Sequence, residues 1–416
     1  MSRYLHYPYD RMEHLQGDYA VATYLVYGAD YGNILDKAGA FAVGQSVGTW
    51  IQVPGITAEM VERSQARVLD VIPAGEAFGG QVFLLRLAFP CINFGGSLAM
   101  LLTALVGNDV STALHTRLVD LSFTGSSGFT GPRQGIAQLR RLTGVMDRPL
   151  VLNMIKPCLG FSPEEGAKLF FEVAKGGMDL IKDDELLGSP DYNTVAERTK
   201  AYLKAADAAS QYSGKTTVYL PNITAAPSKM RENAKAVLDA GAKACLVNFV
   251  FAGLDTLTEL CEEFGDRLFI MAHYAGVGVL GWEHGGIANS VFLGTLPRLA
   301  GAHAMMTMYP NHEDCAAMYD FFRTVQAQHL PMGDIPPLLT AVGGGITPRN
   351  QALVQNELGR DVVIGIGGGV QGHPQGACQG AKAAMAAVTA TANNIPLEEA
   401  ALENEPLQIA LARWPN

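Results

Sequence analysis

Gly176-Gly177-Met178-Asp179-Leu180-Ile181-Lys182-Asp183-Asp184-Glu185 is the stretch on which the reading of this chain turns. The apolar run from Met178 to Ile181 reads as a short buried strand. It runs into one lysine and three successive carboxylates with no Pro or Gly between. Most acidic clusters are solvated surface turns, and that reading stays open here. Charges joined directly to a buried strand fit better at the rim of a sheet or barrel. Asp184 and Glu185 offer the hard oxygens that suit Mg²⁺. Lys182 can pair with an acid, or act as base or nucleophile if its pKa is lowered.

Outward from this stretch the same pattern repeats. Apolar runs at 150–155, 178–181, 217–220, 244–249, 268–272, 302–308, 338–342 and 362–366 alternate with helical stretches such as 163–175, 194–213, 229–240 and 375–392. Eight alternations predict a (β/α)₈ barrel, with an open doubly wound sheet as the alternative. In a barrel, the residues that follow the strands share one face. Here they are Lys156, Lys182 to Glu185, Asn222, His273 and Tyr274, residues 309–312, Gly343-Gly344-Gly345 and Gly367-Gly368-Gly369. One glycine triplet reads as a tight turn. Two of them, after the last two strands, point to a phosphate site, because consecutive glycines let backbone N–H groups approach an anion.

Residues 18–28, 67–72 and 81–87 read as strands, and 31–43 and 97–108 as helices, the second stopped by Gly107-Asn108. This predicts an N-terminal α+β domain with an antiparallel sheet over 1–130, then the barrel domain over 131–416. A chain of 416 residues suits two domains. With 48% hydrophobic and 17% charged residues it reads as a globular protein with a large core. A net charge of −10 leaves no electrostatic footprint for nucleic acid. No apolar run reaches membrane-spanning length, and Met1-Ser2-Arg3-Tyr4-Leu5-His6 lacks the apolar core of a signal peptide. The six cysteines form no CxxC pair and read as reduced thiols, so a cytoplasmic location is expected.

On these residues the chain resembles the RuBisCO large-chain family, in its RuBisCO-like branch. Gly176 to Glu185 is similar to the family's activation segment. Ile155-Lys156-Pro157-Cys158-Leu159-Gly160 is similar to its Ile-Lys-Pro-x-Leu-Gly motif, and Gly367-Gly368-Gly369-x-x-Gly372-His373-Pro374-x-Gly376 to its strand-eight phosphate loop. Residues 409–414 also read like that branch.

The resemblance implies that CO₂ carbamylates Lys182, and that the carbamate with Asp184 and Glu185 holds one Mg²⁺. It makes Lys156 the proton-handling base, with the carbamate oxygen as rival, and places His273 beside substrate and metal. Thr49 and Trp50 would bind a substrate phosphate in the partner subunit's site, alongside Gly344, Gly345, Gly367 and Gly368. A head-to-tail homodimer with shared sites, or a higher oligomer of it, follows. Read locally, Thr49-Trp50 is equally a packed aromatic after a turn, and Asn108 a helix stop. By resemblance Asn108 stands where carboxylating members carry an active-site Asn. Cys158 is a packed thiol or a proton relay.

Departures from the family pattern shape the expected activity. Tyr274 stands where an Arg grips a distal phosphate, Met306 near the position of a His, and Gly343 in place of a Ser. Residues 307–312 hold no Lys to steady CO₂. The expectation is a non-carboxylating enzyme that enolises a ketose carrying one phosphate, its far end apolar near Tyr274, Met306 and Met308. A 5-methylthioribulose-1-phosphate isomerase of sulfur (methionine) salvage is the first reading. The alternatives are a decarboxylase or C–C hydrolase of a 3-oxo sugar-acid phosphate, a diketo-methylthiopentyl-phosphate enolase, or a non-catalytic binding protein. Against the enolase, that branch carries a catalytic Lys where this chain has Asn108.

Overall fold

The computed structural model describes residues 8–30, 32–48, 53–108, 115–281 and 285–415. The chain forms two compact units. One comprises Met1–Gly131 with Gly276–Ala300 and Arg323–Pro336; the other comprises Pro132–Ala275, Gly301–Phe322 and Pro337–Asn416. Two stretches that the strand-helix pattern left with the barrel thus group with the first unit.

The first unit is built on a mixed sheet. Its strands are β1 (Tyr19–Ala29), β2 (Arg67–Ala77), β3 (Gly80–Pro90) and β4 (His115–Phe123). They pair antiparallel in the order β4-β1-β3-β2. β1 is central and nearly buried throughout, as its run of Ala, Val and Tyr predicts. Tyr24 on β1 meets Phe41 edge-on at 5.0 Å and donates its hydroxyl to Leu105 O at 2.9 Å. Those two partners belong to the helices Ile34–Gly44 and Leu98–Val106. β4 was not legible as a strand, although its polar and apolar residues partly alternate.

The second unit carries the strands β5 (Leu150–Met154), β6 (Leu180–Lys182), β7 (Val218–Leu220), β8 (Ala244–Asn248) and β9 (Phe269–His273). The two-residue β10 (Gly286–Ile287) lies in the first unit and extends its sheet, parallel to β4. The second unit resumes with β11 (Ala304–Met308), β12 (Leu339–Gly343) and β13 (Val363–Gly365). Eight parallel strands follow the order β7-β6-β5-β13-β12-β11-β9-β8. A bridge between Asn222 and Leu246 closes the ring, with Ile223 N–H on Leu246 O at 3.1 Å and Leu246 N–H on Pro221 O at 2.9 Å. Closure makes this a (β/α)₈ barrel and excludes the open sheet.

Alternation along the strands fills the barrel in layers. Leu150 and Leu152, Leu180, Val218 and Leu220, Ala244 and Leu246, Phe269 and Met271, Ala304 and Met306, Leu339 and Ala341, and Val363 form one apolar cluster. Two residues further along, the same alternation reaches Met154, Lys182, Asn222, Asn248, His273, Met308, Gly343 and Gly365. The uppermost layer therefore changes from hydrocarbon to chemistry.

Asp179 ties the other end together. Arg148 Nη1 and Nη2 donate to its two carboxylate oxygens at 2.6 and 2.9 Å, and Val151 N–H adds a third bond at 2.9 Å. Both side chains are buried. Removing one partner of such a pair strands a charge in low dielectric. Arg148→Ala is therefore expected to lower stability in urea unfolding by about 3–5 kcal/mol. A loss below about 1 kcal/mol, the worth of an exposed pair, would show that the barrel does not rely on it.

Candidate active site

The acidic stretch separates its four charged side chains by direction. Lys182 ends β6 pointing inward and is 1% exposed. Its Nζ donates to Asp183 O at 3.0 Å and lies 3.4 Å from Glu185 Oε2. Burial pulls its pKa down, against the opposing pull of Glu185 and Asp184. Asp183 points away from the cavity. Its carboxylate accepts from Arg198 Nε at 2.9 Å, Tyr219 Oη at 2.7 Å and Asn222 N–H at 2.8 Å. Asp184 and Glu185 are left to face the barrel mouth.

Lys156, just past β5, donates to Asp184 Oδ2 at 2.6 Å and to Cys158 Sγ at 3.1 Å. Burial alone would lower the Lys156 pKa; the bonds to Asp184 and Cys158 outweigh it and raise it, so the group is an ammonium here. Burial likewise works to raise Asp184, but Lys156 and the Leu186 N–H hold it below the usual carboxylate range. His273 ends β9. Its Nδ1 accepts from Ala275 N–H at 3.2 Å, which assigns the ring hydrogen to Nε2, 3.6 Å from Glu185 Oε2. Burial, and then the Lys182 charge, push its pKa down to about 2, so the ring is neutral. Tyr274 stacks on it at 4.6 Å and 18°.

A cavity of about 550 Å³ opens on this face. It brings together Lys156, Lys182, Asp184, Glu185, His273 and Tyr274 with Gly344, Gly345, Gly367 and Gly368. Gly344 and Gly345 have φ of 95° and 65°, a conformation that favours glycine. Asn222 and Cys158 do not line it. Asn222 instead holds the acidic turn, its Nδ2 on Glu185 O at 3.1 Å and its Oδ1 accepting from Thr224 Oγ1 at 2.6 Å. Asn108 is exposed and belongs to the first unit. Thr49 and Trp50 lie outside the described residues.

The sequence reading did not single out several residues of this face. Met154, Thr347 and Trp414 line the cavity. Arg349 Nε holds Trp414 O at 3.0 Å. Asn248 Nδ2 donates to Glu185 O at 2.8 Å, so two asparagines grip one carbonyl. Asn248 was within reach of the strand alternation, two residues past inward-facing Leu246. Nothing local marked Trp414 as part of the cavity.

The donor set bears on a metal. Among the described residues, no three His, Cys, Asp or Glu side chains form a ready cluster. Two carboxylates, Asp184 and Glu185, do stand beside a buried lysine whose ammonium form burial disfavours. A carbamate on that amine would supply the missing hard oxygens, so the residues fit Mg²⁺ with a carbamylated lysine.

Comparison with known proteins decides the family. Residues 135–414 match the catalytic domain of the ribulose bisphosphate carboxylase large chain, and residues 9–124 match its N-terminal domain. The chain belongs to the RuBisCO large-chain family. A ribulose bisphosphate carboxylase-like protein of Archaeoglobus fulgidus is 37% identical over 385 residues, covering 90% of this chain and 87% of that one. A 2,3-diketo-5-methylthiopentyl-1-phosphate enolase of Geobacillus thermodenitrificans is 33% identical, covering 95% and 97%. Among solved structures, a rubisco-like protein of Alicyclobacillus acidocaldarius superimposes with a TM-score of 0.88 at 33% identity, covering 96% and 100%. A dimeric archaeal Rubisco of Hyperthermus butylicus does so with 0.89 at 29%, covering 97% and 98%. No helix among the described residues of this family member is long and apolar enough to cross a membrane.

The two asparagines give a test of how the acidic turn is held. Asn222→Ala and Asn248→Ala should each destabilise the protein by about 1–3 kcal/mol. Both act on the Glu185 carbonyl, and either amide alone still satisfies it, so the double variant should cost more than the two losses added. Denaturant titration of the four proteins measures this; strict additivity would mean the two amides act independently.

Proposed function

We propose that this chain is a non-carboxylating, Mg²⁺-dependent enolase-type enzyme of methionine salvage, with 2,3-diketo-5-methylthiopentyl 1-phosphate as substrate. One observation carries the reading: among the described residues the cavity offers one cradle for an anion and no second. Among the described residues that line it, the cations are Lys156 and Lys182, and each faces a carboxylate, at 2.6 and 3.4 Å. The end near Tyr274 and Met306 carries no positive side chain. A substrate with one phosphate and an apolar far end suits it; a sugar bisphosphate does not. The absence of Lys from residues 307–312 supports the exclusion of CO₂ fixation. The enolase name of the Geobacillus relative, over 95% of this chain, favours enolisation of the diketone over the isomerisation first expected from the sequence.

The roles follow from position. Backbone N–H groups of the loops at 344–345 and 367–368 take the phosphate. Lys182 as its carbamate, Asp184 and Glu185 would hold Mg²⁺, which supplies Lewis acidity at a substrate carbonyl. Lys156 as free amine removes the proton next to that carbonyl; the ammonium on Asp184 is its proton-loaded form. The neutral His273 presents Nε2–H to a substrate oxygen and so fixes its orientation. Asp183 touches nothing in the cavity and positions its neighbours. A homodimer with shared sites completes the proposal, supported by the dimeric solved relative.

A second reading is isomerisation of 5-methylthioribulose 1-phosphate. It rests on Asn108, where the enolase branch carries Lys, and on the 3.1 Å contact of Lys156 Nζ with Cys158 Sγ, which suits return of a proton to a different carbon.

Proton exchange in D₂O, followed by NMR with Mg²⁺ and bicarbonate present, separates the readings. The diketone should lose one α-proton signal and yield the enol. Lys156→Ala should slow this by about 10²–10⁴-fold, and Lys182→Ala should abolish its dependence on Mg²⁺. Exchange on 5-methylthioribulose 1-phosphate alone would establish the isomerase. Silence on both compounds would end both readings. Light scattering on the eluting protein should give twice the chain mass; a fully active monomer would refute the shared site.

A further inference from the structure

We infer that Gly343 and Met306 act as one specificity element, completed by Met154, that shapes the cavity for an uncharged thioether arm of the substrate. The inference deepens the enolising reading above and rests on it for the identity of the reacting end.

Met306 lies on β11, paired with Ala341 of β12 and with His273 of β9. Its side chain is 2% exposed and still borders the cavity. A Cβ on Gly343 would lie 2.4 Å from Met306 Cε and 3.7 Å from Met154 Cε. On Gly365 it would lie 2.9 Å from Met306 Cε, 3.0 Å from Val342 O and 3.5 Å from Met154 Sδ, and on Gly367 3.3 Å from Met154 Cε. The two thioether ends occupy the volume that side chains at these three positions would fill. Gly343 and Gly365 end the extended strands β12 and β13, and Gly367 has φ −89°. None of the three sits in the left-handed region, so turn geometry does not call for glycine there. At Gly343 the close approach of Met306 favours it, and at Gly365 the Val342 carbonyl oxygen adds to the crowding.

The chemical consequence is a wall without hydrogen-bonding side chains. Methionine is flexible and polarisable and packs well against another thioether. A hydroxyl or phosphate on the same arm would leave water and meet no partner on this wall, at a cost in affinity. Any side chain at Gly343 must displace the Met306 methyl group, which couples the two positions. The pair therefore sets whether the cavity wall between β11 and β12 is apolar or polar.

The test uses the full-length protein and three non-reacting phosphomonoesters of equal chain length, ending in methylthio, in hydroxyl or in a second phosphate. Calorimetry should show the methylthio probe binding about tenfold or more tighter than the hydroxyl probe, with the bisphosphate weakest. Gly343→Ser should erase that preference. Met306→Ala should also reduce it, and adding Gly343→Ser to Met306→Ala should change little more, because the displaced methyl is already gone. If Gly343→Ser does not fold, Met306→Ala alone carries the test. An equal affinity of the wild type for all three probes, a preference that survives Met306→Ala, or additive effects would overturn the element. Preference without proton exchange on any ketose would instead sink the enolising reading and leave the element standing. Exchange without preference would sink the element alone.

Discussion

The buried pair of Asp183 and Arg198 is the constraint on which the site depends. Neither side chain has any exposed surface. Three donors meet the carboxylate, and Arg198 spends its other N–H groups on Asn193 and on Gly188 O. A charge pair in such a place is stable only when its lone pairs and protons are largely met, and here three donors meet the carboxylate while Nε, Nη1 and Nη2 of Arg198 each find an acceptor. The pair pins the middle of an acidic run, so the residues on either side have no freedom to choose direction. Lys182 must enter the barrel, and Asp184 and Glu185 must rise over its mouth.

What results is a site held by groups that do no chemistry. Asn222 and Asn248 grip the Glu185 carbonyl, Ala275 N–H sets the His273 tautomer, and Arg349 keeps Trp414 at the cavity. Such supporting bonds give reactive side chains a defined geometry. The burial of Lys182 and His273 has a second effect. Burial disfavours the charged form of both, which eases loss of the Lys182 proton and keeps the His273 ring neutral. Lys156, less buried and bonded to Asp184, is the contrasting case and keeps its proton.

Much of this was legible from spacing. The eight apolar runs coincide with the eight barrel strands, since a buried parallel strand needs an unbroken apolar run. The residues after those runs largely line one cavity, because the barrel has a single C-terminal face. Asn222 shows the limit of that rule: it follows a strand, yet its amide serves the neighbouring turn. The shorter elements were harder. β10 has two residues and exists only because β4 offers it an edge. Asn248 was hidden by an apolar run that was read whole rather than by alternate residues.

The sequence by itself determined the barrel, the order of its strand-end residues and the family, because hydrophobic periodicity and motif spacing are properties of neighbours along the chain. It also carried the substitutions at Tyr274, Met306 and Gly343. Only the tertiary structure decided which of three adjacent carboxylates turns away to Arg198, which asparagines hold the turn, and which side chain occupies the space beside Gly343. Those outcomes depend on groups 15 or more positions apart, such as Asp183 with Arg198, and Gly343 with Met306. Burial, charge pairing and the filling of a shared volume are settled in space, where local spacing has no information to offer.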